Sequence, residues 1–147
     1  MAIYFYSTKE QPYGCFSNFA AYPFELDGAT WPTVEHYFQA QKFVGTSHVE
    51  ELRLVASPMV VARMGRSRAR PLRPDWNEAK DDIMRRAVLR KFETHADIRE
   101  LLLATGDEEL IEKTTSDYYW GCGTDGTGKN MLGKILMEVR DILQARS

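Results

Sequence analysis

The stretch from Asp117 to Arg140, DYYWGCGTDGTGKNMLGKILMEVR, decides how this chain reads. Its second half is an amphipathic helix. Met131, Leu132, Ile135, Leu136 and Val139, continued by Ile142 and Leu143, recur at the three-and-four spacing of one buried helical stripe. Asn130 stands where an N-cap belongs. The first half must then lie against a packed element. Gly121, Gly123, Gly126 and Gly128 let the backbone approach a bound group, and the N-terminus of the helix offers N–H donors that suit an anion such as phosphate. The spacing is neither a Walker loop nor a GxGxxG after a strand, and a glycine-rich surface turn accounts for it as well. Tyr118, Tyr119 and Trp120 weigh toward a site, because three adjacent aromatics need core or a planar ligand to pack on.

Upstream, Trp31 to Phe43 reads WPTVEHYFQAQKF. Pro32 suits a first helical turn. At 100° per residue, Tyr37, Ala40 and Val44 fall on one face and Glu35, Gln39 and Lys42 on the opposite one, with Phe38 and Phe43 flanking the polar row. Such a row is either a solvated face or one wall of a small-molecule pocket carrying a carboxylate, an amide and an amine. His36 reads as a packed or hydrogen-bonded histidine. A further helix begins with Asp75 as N-cap and Glu78 three residues on, close to a capping box, with Pro74 before it. Its inward stripe is Trp76, Lys80, Ile83, Met84, Ala87 and Val88, so Lys80 must snorkel, pair or work. Arg63, Arg66, Arg68, Arg70 and Arg73 form a local positive cluster in a chain of net charge −2. Runs of this kind are commonly solvated loops, yet arginine is also well shaped for phosphate oxygens.

With 147 residues and 44% apolar content, the chain makes one domain, 1–147, with room for a core and no repeat or linker. Short strands are expected at Ala2 to Tyr6 and Tyr22 to Leu26, the latter followed by an Asp27-Gly28 turn and a return strand through Trp31. Helices are expected at about Thr33 to Val44, Ser47 to Val55, Pro58 to Arg66, Trp76 to Phe92 and Ile98 to Ala104. Ser47 with Glu50 repeats the capping-box logic and Gly106 is a stop. Leu110 to Thr115 reads as a strand or a short helix. The class is α+β, mainly helical, with a small antiparallel sheet from the N-terminal strands. Cys15 and Cys122 form no metal-ligand spacing with the three histidines and no disulfide framework, which fits a reduced cytoplasmic setting without metal. No apolar run is long enough to span a membrane, and MAIYFYSTKE lacks the pattern of a signal peptide. The near-neutral balance argues against an extended nucleic-acid interface.

Several blocks together carry a resemblance. GCFSNF at Gly14 to Phe19, WPTVEHYFQAQKF, DWNEAKDDIMRRAVLRKF from Asp75, and DYYWGCG with GKNMLGKILMEVR look like the YbiA-like family of the NADAR superfamily, in the family's order from about Phe5 to Arg140. The resemblance implies an N-glycosidase that hydrolyses early riboflavin-pathway intermediates between ribose 5-phosphate and the pyrimidine amine, with no cofactor and a small-molecule substrate. Related members remove ADP-ribose from guanine in nucleic acid, and a non-catalytic ADP-ribose or NAD-binding module is a third class.

Breaking a ribosyl C–N bond builds positive charge on the sugar, asks for a proton on the departing nitrogen and needs an activated water. By resemblance, Glu35 stands nearest the ribose and Asp117 orients water or the base, with Glu112 a third carboxylate. An amine of lowered pKa, Lys42 or Lys80, opens a second route by attacking C1 to form a Schiff base. Trp76 and Trp120 are candidates to stack on the heterocycle, although a core role for Trp76 fits its inward stripe equally. Phe16, Asn18, Gln39, Gly121 and Asn130 complete the expected binding set, and Lys42, Lys80 and the arginines are candidates for phosphate.

Overall fold

Thr33 opens the helix around which the rest of the chain is arranged. In the computed structural model, which describes residues 1–147, Thr33 is extended (φ −148°, ψ 166°) and its side chain accepts the His36 N–H, capping α1 (Val34–Gln41). Every residue of α1 is buried, its polar row included. Three helices pack around it: α2 (His48–Arg53), α3 (Pro58–Arg66) and α4 (Trp76–Thr94). His36 is held as expected, its ring nitrogens 2.8 Å from Thr33 Oγ1 and 2.7 Å from the Val55 carbonyl. A shorter helix, α5 (Ala96–Ala104), ends at Gly106 (φ 66°), and α6 (Met131–Ala145) buries the stripe Leu132, Ile135, Leu136, Val139 and Leu143. No helix is long and apolar enough to cross a membrane, and both cysteines are free.

The domain is mainly helical with two small sheets. β2 (Phe24–Leu26) and β3 (Ala29–Trp31) form the antiparallel hairpin, joined by Asp27 and Gly28, both at positive φ (55° and 79°). β1 (Ala2–Phe5) takes a different partner from the one expected. It runs parallel to β4 (Glu109–Glu112), with Phe5 opposite Glu112, which also settles the Leu110 to Thr115 segment as a strand at its start. A parallel pair needs a long crossover, and here most of the chain supplies it. A one-turn 3₁₀ helix, Tyr13–Phe16, follows β1 and turns Phe16 into the core against Phe5 and Phe92.

Three helix starts differ from their expected capping. Asp75 caps nothing, because Arg73 claims both of its carboxylate oxygens at 2.6 and 2.9 Å. Ser47 is already in helical conformation and makes no capping bond, and the Thr46 hydroxyl takes the His48 N–H in its place. Asn130 occupies the N-cap position of α6 in left-handed conformation (φ 54°) and makes no capping bond either. Its amide reaches sideways to β4, accepting from Glu112 N at 2.9 Å and donating to the Leu110 carbonyl at 2.9 Å. Asn130→Ala should therefore leave two buried backbone groups of β4 unpaired, each costing about 1–3 kcal/mol. Melting at a point roughly 10 °C below wild type is the expected result, and an unchanged melting temperature would show that the clamp contributes nothing.

Candidate functional site

A cleft of about 460 Å³ opens between α1, α3, the first turns of α4 and the segment from Glu112 to Trp120. The polar row of α1 forms one wall of it. Glu35, Gln39 and Lys42 are all buried, so the solvated-face reading is excluded by burial alone. Gln39 Nε2 donates to Glu35 Oε2 at 2.7 Å, while Gln39 Oε1 is buried against α3 with no partner. Gly65 of α3 makes this approach possible: a Cβ there would stand 1.8 Å from Gln39 Oε1. Lys42 Nζ donates to the Gly65 carbonyl at 3.3 Å and lies over the rings of Trp76 and Phe38, 5.5 and 5.9 Å from their centroids. Phe38 in turn meets Trp76 and Trp120 edge to face.

The opposite wall comes from the chain after β4. Asp117 Oδ1 accepts the N–H groups of Tyr119 (3.0 Å) and Trp120 (2.8 Å), and its carbonyl accepts the Thr114 hydroxyl. That local turn fixes a carboxylate at the cleft edge beside Glu35 and Glu112. Lys80 comes in from α4 with its Nζ 4.0 Å from the Tyr119 ring centroid, and Tyr119 donates its hydroxyl to Asp81.

Electrostatics separate these groups into unlike roles. Burial holds Glu35 above the usual carboxylate range, against the lowering effects of the Gln39 hydrogen bond and of Lys42 and Arg66. Glu112 is pushed up to about 8, first by burial and then by the nearby charges of Asp117 and Glu35. Lys42 is lowered to about 8 by burial and by Arg68, despite the opposing pull of Glu35. The cleft thus holds a carboxyl that keeps its proton at neutral pH and an amine that gives its proton up easily, a combination characteristic of acid–base and nucleophilic sites.

Of the residues expected from sequence, Asn18, Glu35, Gln39, Lys42, Trp76, Lys80, Glu112, Asp117 and Trp120 line this one cleft. Phe16, Gly121 and Asn130 do not. Phe16 is core, Gly121 packs beneath the Thr114 side chain, and the Asn130 amide is spent on β4. The glycine loop also departs from its expected role. Its backbone donors are consumed at home: Gly128 N bonds Cys122 O, Lys129 N bonds Tyr118 O, Met131 N bonds Tyr119 O and Leu132 N bonds Trp120 O, all at 2.7–3.0 Å. Gly128 makes room for the chain's own Gly121 carbonyl, 2.4 Å from where a Cβ would sit, and the first N–H groups of α6 are not offered to an anion.

The arginine cluster divides as well. Arg70 pairs with Glu51 and Arg73 with Asp75, Arg68 donates to the Arg66 and Gly65 carbonyls, and Arg63 is exposed outside the cleft. Arg66 alone of the cluster lines the cleft. Tyr6, Phe19 and Thr114 to Ser116 line it too without having been singled out. Phe19 lies in the GCFSNF block and was within reach of sequence reasoning, whereas Tyr6 comes to Glu112 only through the parallel pairing of β1 and β4. No group of three or more His, Cys, Asp or Glu is placed to hold a metal ion.

Comparison with known proteins places the chain in a family. A NADAR domain model matches residues 4–144. The chain is similar to N-glycosidase YbiA of Escherichia coli (strain K12), 57% identical over 141 residues, covering 96% of this chain and 88% of that protein. The NMR structure of E. coli YbiA superimposes with a TM-score of 0.91 at 55% identity, covering 99% of this chain and 86% of that one. A further similarity is to the chloroplastic riboflavin biosynthesis protein PYRR of Zea mays, 40% identical over 153 residues, covering 94% of this chain and 24% of that protein.

Proposed function

This chain belongs to the NADAR domain family and is an N-glycosidase; on that premise we propose that it hydrolyses the ribosyl C–N bond of early riboflavin intermediates, ribosylamino-pyrimidine 5'-phosphates, releasing ribose 5-phosphate. The observation that carries the chemistry is that a lowered amine, Lys42, and a raised carboxyl, Glu112, line the same cleft. The similarity to a riboflavin biosynthesis protein over 94% of this chain supports the substrate class.

In the reading these groups favour, Lys42 Nζ bonds to C1 as the C1–N bond breaks. The electron pair goes to the departing nitrogen, which takes the Glu112 proton. The ring C1–O bond then breaks as the lysine nitrogen forms C1=N, the ring oxygen keeping that electron pair and taking a proton, and the sugar is left as an open-chain Schiff base on the lysine. Water then adds to C1 and expels the lysine, giving the aldehyde of ribose 5-phosphate. Glu35, held by Gln39 Nε2 and close enough to Lys42 to feel its charge, carries the protons of amine, ring oxygen and water. Roughly a tenth of a lysine with its pKa near 8 is neutral at pH 7, enough to sustain turnover. The charge of Asp117, which raises both Glu35 and Glu112, keeps the acid loaded.

The phosphate goes to Arg66 and Lys80, the two cleft cations other than Lys42. Such a contact acts on ground and transition state alike, so Arg66→Ala should raise KM more than it lowers kcat. The expected loss is about 1.5–3 kcal/mol, roughly ten- to a hundredfold, on phosphorylated substrate and little on dephosphorylated substrate. Arg70→Ala, removing a residue committed to Glu51, should treat both substrates as wild type does. Product analysis tests the function itself. Purified protein given a ribosylamino-pyrimidine 5'-phosphate should release ribose 5-phosphate. Release of ADP-ribose from an ADP-ribosylated guanine oligonucleotide, with the pyrimidine substrate left intact, would move the activity to nucleic acid.

A further inference from the structure

A second recess of about 440 Å³ adjoins the cleft and shares Tyr6, Phe19 and Glu112 with it. Its chemistry is of the opposite kind. Lys42, Arg66 and Lys80 all line the first recess, whereas the second has no cation and Glu112 is its single charged residue. Its polar groups are hydroxyls, and three of them are poised in the same way. Ser7 Oγ accepts the Lys9 N–H at 3.1 Å, Ser17 Oγ accepts the Phe19 N–H at 3.2 Å, and Ser57 Oγ accepts the Val60 N–H at 3.3 Å. A hydroxyl that already accepts from the backbone keeps its own O–H to donate. The recess therefore offers several neutral donors between the apolar surfaces of Tyr6, Phe19 and Met59, a surface matched to a flat heterocycle rich in carbonyl oxygens and ring nitrogens.

We infer that this second recess is the leaving-group subsite, seating a neutral aminopyrimidinone while ribose 5-phosphate occupies the first recess, where Lys42, Arg66 and Lys80 all lie, with Glu112 on the boundary beside the nitrogen that departs. The inference rests on the N-glycosidase reading and deepens it. The two halves of the substrate differ as the two recesses do, one anionic and one neutral and acceptor-rich. Of the three residues common to both recesses, the one that can ionise near neutral pH is the carboxyl that must meet the bond between those halves. The aromatic wall of Trp76 and Phe38 is then left to the sugar and to Lys42, whose Nζ already lies over both rings.

The test uses two probes, each one half of the substrate. In amide NMR titrations, 6-aminouracil should shift Ser7, Thr8, Ser57 and Met59, and ribose 5-phosphate should shift Arg66 and Lys80. Met59 is exposed at the rim, so Met59→Trp narrows the recess without touching the core. It should weaken 6-aminouracil at least about tenfold and leave ribose 5-phosphate within about twofold of wild type. Shifts by 6-aminouracil centred on Trp76 and Trp120, or no binding of it at all, would overturn the subsite. Mapping of 6-aminouracil to the second recess by a protein that releases no ribose 5-phosphate would uphold the subsite and overturn the proposed substrate, so the two failures are distinguishable.

Discussion

Lys42→Met is expected to fold normally and to lose hydrolysis by on the order of 10³-fold or more, the scale on which removal of a nucleophile registers. Folding should survive because the lysine is a cost to the native state. Its pKa is lowered to about 8 in the fold against an ordinary 10.5, so the charged form is penalised there. The unfolded chain binds the proton more tightly, and native stability at this group rises as pH climbs from about 8 toward 10.5. Methionine fills a similar volume without the charge, and the variant should be no less stable than wild type at pH 7. The same lowered value sets a limb of the rate profile. Activity should rise with pH up to about 8 as Lys42 becomes neutral, and fall above about 8 as Glu112 loses its proton. Borohydride added during turnover should leave a sugar adduct whose mass maps to Lys42. An active Lys42→Met variant with no adduct in wild type would establish direct attack by water.

Glu35→Gln should lower kcat by about 10²- to 10⁴-fold, the usual contribution of a positioned acid–base group. The substitution keeps the local geometry, since the new carbonyl oxygen can accept from Gln39 Nε2 as the carboxylate does. Stability should respond in the opposite sense to activity. The folded-state pKa of Glu35 is raised, chiefly by burial, so the native state holds the proton more tightly than the unfolded chain. The stability this confers is present at low pH and is lost as pH rises through the folded value. Glutamine removes that dependence. Thermal denaturation at a pH below the ordinary carboxylate range and again at alkaline pH should show a smaller drop for the variant than for wild type, together with the loss of rate. Full hydrolytic activity in Glu35→Gln would remove this residue from the mechanism.

What the sequence made legible was periodic. The α6 stripe, the Asp27-Gly28 hairpin and the row Glu35, Gln39, Lys42 all follow from spacing, because a helix or a tight turn places residues a few positions apart in a set geometry. Spacing alone left the polar row open between solvent and pocket. The choice came from α3, where Gly65 lets a second helix close over Gln39.

The remaining differences concern competition for partners. Asp75 had the spacing of a capping residue, but Arg73, two residues away, offers a charged donor pair, which outweighs a single backbone N–H. Asn130 stood at a helix start, yet β4 brought a bare N–H and C=O within reach of its amide and consumed both of its polar atoms. The glycine loop looked open to an anion until its own carbonyls, from Tyr118 to Cys122, took the donors. The arginine cluster read as one positive field, and Glu51 and Asp75 divided it.

Composition, periodicity and the order of the blocks were enough to determine a single mainly helical domain and the residue types of its candidate site. Tertiary structure decided which of those residues meet. Tyr6 reaches Glu112 because β1 and β4 pair in parallel across most of the chain, a contact no local pattern encodes. The shifted pKa values of Lys42 and Glu112 arise first from burial and then from charged neighbours, Arg68 at Lys42 and Asp117 at Glu112, since desolvation and Coulomb interactions depend on position in space.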